Sequence, residues 1–232
     1  NVGQWDRTGG WTALMDRCVK DLWAAGSHKT QFTECLGKIP ILSGADKVRM
    51  SCIPRNPRCH YNLSIAVTHY YTRMSFSTSV GISHALGSQT VRARGVEQRI
   101  LSDANEFYID AILEAKGLAD GVFSTVVTNI GRFDGPDGRL EIRPHHPPGT
   151  PPHNCPHCPT NLCKGSVLKE WMAELQPSKV LYVGDGSGDF CPSLLLQPGS
   201  VILARGAPHN RLLQLCVQAR DAGTLRAEVV EW

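Results

Sequence analysis

Two carboxylates, Asp185 and Asp189, stand in the glycine-rich stretch Leu181-Tyr-Val-Gly-Asp-Gly-Ser-Gly-Asp189, directly after a short apolar run. The glycines allow a sharp turn and a close approach of backbone to ligand. Carboxylates at the end of a strand are hard oxygen ligands, suited to Mg2+ beside a phosphate. The plain alternative is a surface turn with solvated aspartates. A second candidate is Ile100-Leu-Ser-Asp-Ala-Asn105, which runs straight into a helical pattern. A hydroxyl there, beside the free amides of a helix N-terminus, makes an anion site, unless Ser102 or Asp103 simply caps the helix. The third is Lys164, a cation at a helix start. That position is unfavourable for the helix dipole, which suggests a point charge for phosphate. The fourth is thiol-rich. Cys155-x-x-Cys158 lies close to Cys163, His153 and His157 and has zinc-ligand character, although no second Cys-x-x-Cys pair accompanies it. The alternative is a packed loop of reduced thiols that positions Lys164.

Elements to position these groups follow from the periodicity. Trp11, Leu14, Met15, Cys18, Val19, Leu22 and Trp23 recur at spacings of three and four and predict a helix closed by Gly26. A shorter helix over Gln31–Leu36, capped by Thr30 and stopped by Gly37, completes a helical hairpin. From Ile100 the pattern predicts a helix over Glu106–Lys116, a strand over Val122–Thr128 and a loop over Pro144–Pro159. After these come a helix over Lys164–Leu175, strands over Val180–Val183 and Val201–Leu203, and a helix over Arg211–Arg220. Alternating strands and helices imply a parallel sheet covered on both faces, with ligands at the carboxyl ends of its strands.

Composition narrows the class. The 232 residues are 41% hydrophobic, enough for a core. No apolar run approaches a membrane span, and no signal-peptide pattern opens the chain, so a cytoplasmic protein without membrane partners is expected. The formal charge is +3. From Lys47 to Arg99, eight Lys or Arg face the single acid Glu97. That block is scattered, without period, and no nucleic-acid partner is expected. Nine cysteines, an odd count, argue against a disulfide framework. Three units are expected: 1–44, a partial helical cap; 45–98, an irregular or disordered insertion broken by Pro54 and Pro57; and 99–232, the core.

The order Ser102, Lys164, Asp185-Gly-x-x-Asp189 resembles the later motifs of haloacid-dehalogenase phosphatases. Ser102-Asp-Ala-Asn-Glu-Phe107, Cys155-Pro-His-Cys158-Pro-Thr-Asn-Leu-Cys163-Lys164, Tyr182-Val-Gly-Asp-Gly-x-x-Asp-Phe-Cys-Pro192 and the terminal Val229-Val-Glu-Trp232 are similar to the phosphoethanolamine/phosphocholine phosphatase family. The similarity spans about Leu101 to Trp232, and more faintly Trp5 to Gly44. It implies an α/β, Rossmannoid sheet with a small helical cap. It also implies Mg2+-dependent hydrolysis of small phosphomonoesters through an aspartyl-phosphate. Ser102, Asp103, Asn105 and Lys164 would then bind phosphate, Ser102 and Lys164 would act in catalysis, and Asp185 and Asp189 would hold Mg2+. The family's Asp-x-Asp, with its nucleophile and acid/base, is absent from this sequence. A sheet short of its first, central strand is therefore expected, as is an inactive chain. Arg92–Arg99 replaces most of the apolar strand that leads into Ser102 in the family, and where this sequence has 45–98 the family has a shorter, helix-forming stretch. The alternative function is a non-catalytic phosphate- or zinc-binding protein.

Overall fold

The computed structural model describes residues 10–39, 61–65 (as backbone), 96–135, 138–147 and 153–232. A seven-stranded sheet runs through it. In chain order the strands are β1 (Tyr61–Ile65), β2 (Glu97–Asn105), β3 (Thr125–Phe133), β4 (Leu140–Arg143), β5 (Lys179–Gly184), β6 (Val201–Ala204) and β7 (Glu228–Glu231). Their order across the sheet is β4-β3-β2-β1-β5-β6-β7. All neighbours are parallel except β3 and β4, which pair antiparallel. The helices are α1 (Gly10–Ala24), α2 (Lys29–Gly37), α3 (Glu106–Ala115), α4 (Lys164–Leu175), α5 (Phe190–Ser193) and α6 (Arg211–Asp221).

The α/β class and the parallel sheet agree with the sequence. Strand alternation explains the two covered faces. Leu101 of β2 joins a core with Leu168 and Trp171 of α4, Tyr182 of β5, Ile202 of β6 and Leu212 of α6. On the same strand, Ile100 and Ala104 pack with Ile109 of α3. Adjacent side chains of a strand point to opposite faces, so β2 carries both layers.

Several expectations are corrected. The sheet does have a strand in the central position, between β2 and β5. It is β1, drawn from the 45–98 stretch expected to be irregular, and its backbone pairs on both sides. Most of the rest of that stretch, with its Pro54 and Pro57, lies outside the described residues. The polar Arg92–Arg99 stretch does not displace β2, which begins at Glu97 with Gln98 and Arg99 buried. Arg99 is tolerated there because it pairs with Glu97 and Glu174 at 2.8 and 3.0 Å and lies over the Trp171 ring. The strand expected at Val122–Thr128 starts later and forms a hairpin with β4, which the short Leu-Glu-Ile-Arg run did not announce. Asn105, rather than Ser102 or Asp103, caps α3 by accepting from the Tyr108 amide at 3.0 Å. His28, rather than Thr30, is the N-cap of α2.

The α1–α2 hairpin docks on α3 and β4. Met15, Val19, Phe32 and Leu36 bury against Tyr108, Ala111, Ile112, Leu140 and Ile142. Asp16, isolated in sequence, is a structural pin. Its Oδ1 accepts from Arg139 at 3.0 Å and from the Ile142 amide at 3.2 Å.

Candidate active site

The carboxyl ends of β2 and β5 bring the predicted residues together. In the register, Ile65 of β1 is level with Ile100 and Val183. Ser102 and Asp185 each lie two residues beyond that level, on the strands flanking β1.

Lys164 stands at the first position of α4, fully buried. Its ammonium lies 3.1 Å from Asp103 Oδ2 and 3.0 Å from Asp189 Oδ1. Burial alone would lower its proton affinity. The charges of Asp103 and Asp189 outweigh burial and hold it above the ordinary lysine value. A cation at a helix start is unfavourable to the dipole; two carboxylates are what offset it.

Asp189 is wholly buried and its oxygens are taken. Oδ1 accepts from Lys164 and from the Tyr182 hydroxyl at 2.8 Å. Oδ2 accepts from the Asp185 and Gly186 amides at 3.2 and 3.1 Å. It thus ties α4, β5 and the glycine turn into one unit. Tyr182 sits in the motif but was not singled out from sequence. A tyrosine at a buried strand position has to find a partner for its hydroxyl, and that is the signal that could have found it. Gly184 is required here, since a Cβ would meet the Asp189 side chain at 2.7 Å.

Asp185 is different. It is 5% exposed, and its Oδ1 has no hydrogen-bond partner among the described residues. Its other oxygen lies 3.7 Å from Arg205, a residue no motif pointed to. Burial, helped by the Asp189 charge, raises the Asp185 carboxyl to about 6, against the pull of Lys164 and Arg205. Asp103 likewise presents a buried Oδ1 without a partner among the described residues. Its backbone carbonyl accepts from Asn129 at 2.8 Å and from the Trp11 indole at 3.2 Å, which joins α1 to the site. As a carboxylate paired to Lys164, Asp103 suits a cation better than an anion. Ser102 is fully buried, with its Oγ accepting from the Ala104 amide at 3.1 Å. Asn105 is engaged as the α3 cap. Among these groups, two cations (Lys164, Arg205) face three carboxylates (Asp103, Asp185, Asp189). Orphaned hard oxygens and an uncompensated negative charge fit Mg2+.

The sequence comparisons bear on this arrangement. The family model described as "Putative Phosphatase" matches residues 66–232. The chain belongs to this phosphatase family. It is the family of phosphoethanolamine/phosphocholine phosphatases within the haloacid dehalogenase superfamily. A thiamine phosphate phosphatase-like protein of Arabidopsis thaliana is 32% identical over 96% of this chain and 74% of its own length. Inorganic pyrophosphatase 2 of Arabidopsis thaliana is 32% identical, over 84% of this chain and 57% of its length. The Homo sapiens phosphoethanolamine/phosphocholine phosphatase is 36% identical over 66% of this chain and 57% of its length. The chain thus spans about three quarters of the first of these phosphatases and a little over half of the other two.

The thiol loop precedes α4 directly. Cys155, Cys158 and Cys163 meet a fourth cysteine, Cys191 of α5, with all four sulfurs within 4.8 Å of one another. His153 and His157 do not join them. His153 Nδ1 accepts from the Cys155 amide, and its Nε2 lies 2.9 Å from the Pro159 carbonyl. The His157 ring packs edge-on against Phe190. The family's Asp-Phe-Cys-Pro segment held the fourth thiol in plain view, yet its separation from the others in sequence hid the grouping.

Proposed function

We propose that this chain is built to hold a small phosphomonoester, of the phosphoethanolamine or phosphocholine type or pyrophosphate, beside Mg2+. The observation that carries this is the buried Asp185 oxygen, without a partner among the described residues, beside the anchored Lys164–Asp189 pair. Asp185 would hold the metal, with Asp103 as a second oxygen donor. Asp189 would support it from behind by fixing Lys164 and the turn, because its own oxygens are engaged. When bound, the metal would offset charge between carboxylate and phosphate. Lys164 supplies a buried positive charge for the phosphoryl group. The Ser102 hydroxyl and the α3 N-terminus supply donors.

Hydrolysis through an aspartyl-phosphate needs a carboxylate on the strand between β2 and β5. Tyr61-Asn-Leu-Ser-Ile65 contains none, and the 232 residues contain no Asp-x-Asp. We therefore propose that this polypeptide binds Mg2+ and phosphate ester without turning the ester over. Its reduced thiols fit a cytoplasmic setting. No helix among the described residues is long and apolar enough to cross a membrane.

The test is calorimetry with Mg2+ and phosphocholine, run beside a phosphate-release assay. Binding that is lost in Asp185→Asn, without release, supports the proposal. Release by this chain itself would show that another carboxylate serves as nucleophile. Absence of any binding would remove the site from the ligand-binding class.

A further inference from the structure

Outside the candidate phosphate site, four cysteines form a compact thiol cluster. Cys155, Cys158 and Cys163 come from one loop, and Cys191 comes from the far side of β5. A tetrahedral zinc thiolate, with Zn–S near 2.3 Å, has sulfur–sulfur edges of about 3.8 Å. Here the Cys155–Cys191 pair is at 3.4 Å, and every pair lies within 4.8 Å. That spacing brackets the tetrahedron and is well beyond a disulfide bond. The surroundings are shaped to it. Gly165 has no side chain, and a Cβ there would collide with the Cys191 sulfur. The Gly165 and Lys164 amides hydrogen-bond to Cys158, as amides commonly do around metal-bound thiolates, where they stabilise negative sulfur. Cys163 is buried and the other three are half-buried, so the sulfurs are screened from bulk water.

We propose that Cys155, Cys158, Cys163 and Cys191 bind one structural Zn2+ ion in a closed tetrathiolate site. Each thiol still protonated releases its proton as it coordinates, and no redox change is involved. The ligand set leaves no open position, so the ion staples rather than reacts. What it staples is specific. Cys163 immediately precedes Lys164, and Cys191 follows Asp189 by two residues. The zinc therefore clamps the two segments whose side chains make the buried Lys164–Asp189 pair. This inference stands independently of the phosphatase reading.

The experiment uses the whole 232-residue chain, purified under reducing conditions without added chelator. Elemental analysis should find zinc equimolar with protein. Metal-free protein titrated with cobalt(II) should develop sulfur-to-metal charge-transfer bands and the strong visible bands of a tetrahedral site. Cys191→Ser should lose stoichiometric zinc, while Cys216→Ser, a buried cysteine outside the cluster, should keep it. If Cys191→Ser fails to fold, the cobalt titration of the unaltered chain still decides. Zinc-free protein with no cobalt–thiolate bands overturns the proposal. So does mass spectrometry showing disulfides among these four residues, or iron in place of zinc.

Discussion

At the scale of single residues, the site separates carboxylates that sequence alone treats as equals. Asp185 and Asp189 share one turn, yet the Asp189 carboxylate has four hydrogen-bond partners and Asp185 has an oxygen with none among the described residues. The stability consequence has a definite sign. The folded state raises the Asp185 carboxyl from 3.8 to about 6. Its contribution to stability is therefore present below the unfolded value and is lost as pH rises through about 6. At pH 8 in buffer without Mg2+, Asp185→Asn is expected to stabilise the fold by about 1–3 kcal/mol, and to abolish the binding of added Mg2+. Urea denaturation and calorimetry on the same preparation check both halves. For the same reason, Mg2+ affinity of the unaltered chain should weaken as pH falls below that value, because the proton competes for the oxygen. Lys164 is the opposite case. Lys164→Met removes the cation from a fully buried position and leaves Asp189 charged and enclosed. A loss of about 3–5 kcal/mol is expected, and a denaturation midpoint near that of the parent protein would show that Tyr182 and the turn amides suffice.

At the scale of elements, the α1–α2 hairpin is held by a small set of contacts. Leu36 is 2% exposed and packs where α2 meets α3. The Lys116 ammonium also bonds the Gly37 carbonyl at 3.1 Å. Leu36→Ala should cost about 2–4 kcal/mol. Hydrogen exchange should quicken in α1, α2 and the facing side of α3 before it does in α4 and α6. Uniform quickening would mean that the hairpin and sheet unfold as one unit. Helix periodicity made α1, α2, α3, α4 and α6 legible, because a single stripe of apolar residues marks each. The β3–β4 hairpin was not, since β4 is four residues long and half of it is charged. Its placement depends on burying Leu140 and Ile142 under α1.

At the scale of the whole molecule, β1 joins the two halves of the sheet. Leu63 pairs with Gln98 on one side and Leu181 on the other. A proline there removes a backbone donor and cannot be accommodated in a central strand. Leu63→Pro is expected to cost about 3 kcal/mol or more and to disturb β2 and β5 together, with loss of the Lys164–Asp189 environment in fluorescence and exchange measurements. Unchanged unfolding would show that the sheet closes without β1. The zinc staple acts at the same scale, because it bridges the loop before α4 and the helix after β5.

The sequence by itself determined the α/β class and the helices with regular apolar stripes, and it offered Ser102, Lys164, Asp185 and Asp189 as candidates, which the family resemblance then joined into a group. These are local signals: period, glycine placement, and charge beside an apolar run. It also placed Cys155, Cys158 and Cys163 together, because they are close along the chain. Only the tertiary structure decided which strand fills the centre of the sheet, because a five-residue polar-looking segment is recognisable as a strand only once neighbours exist on both sides. Only the structure separated Asp189, with its oxygens engaged, from Asp103 and Asp185, each with an oxygen left without a partner among the described residues, since burial and partners set a carboxylate's role. It alone brought Cys191 to the other three thiols and Arg205 to Asp185, contacts between segments that adjacency in sequence does not reveal.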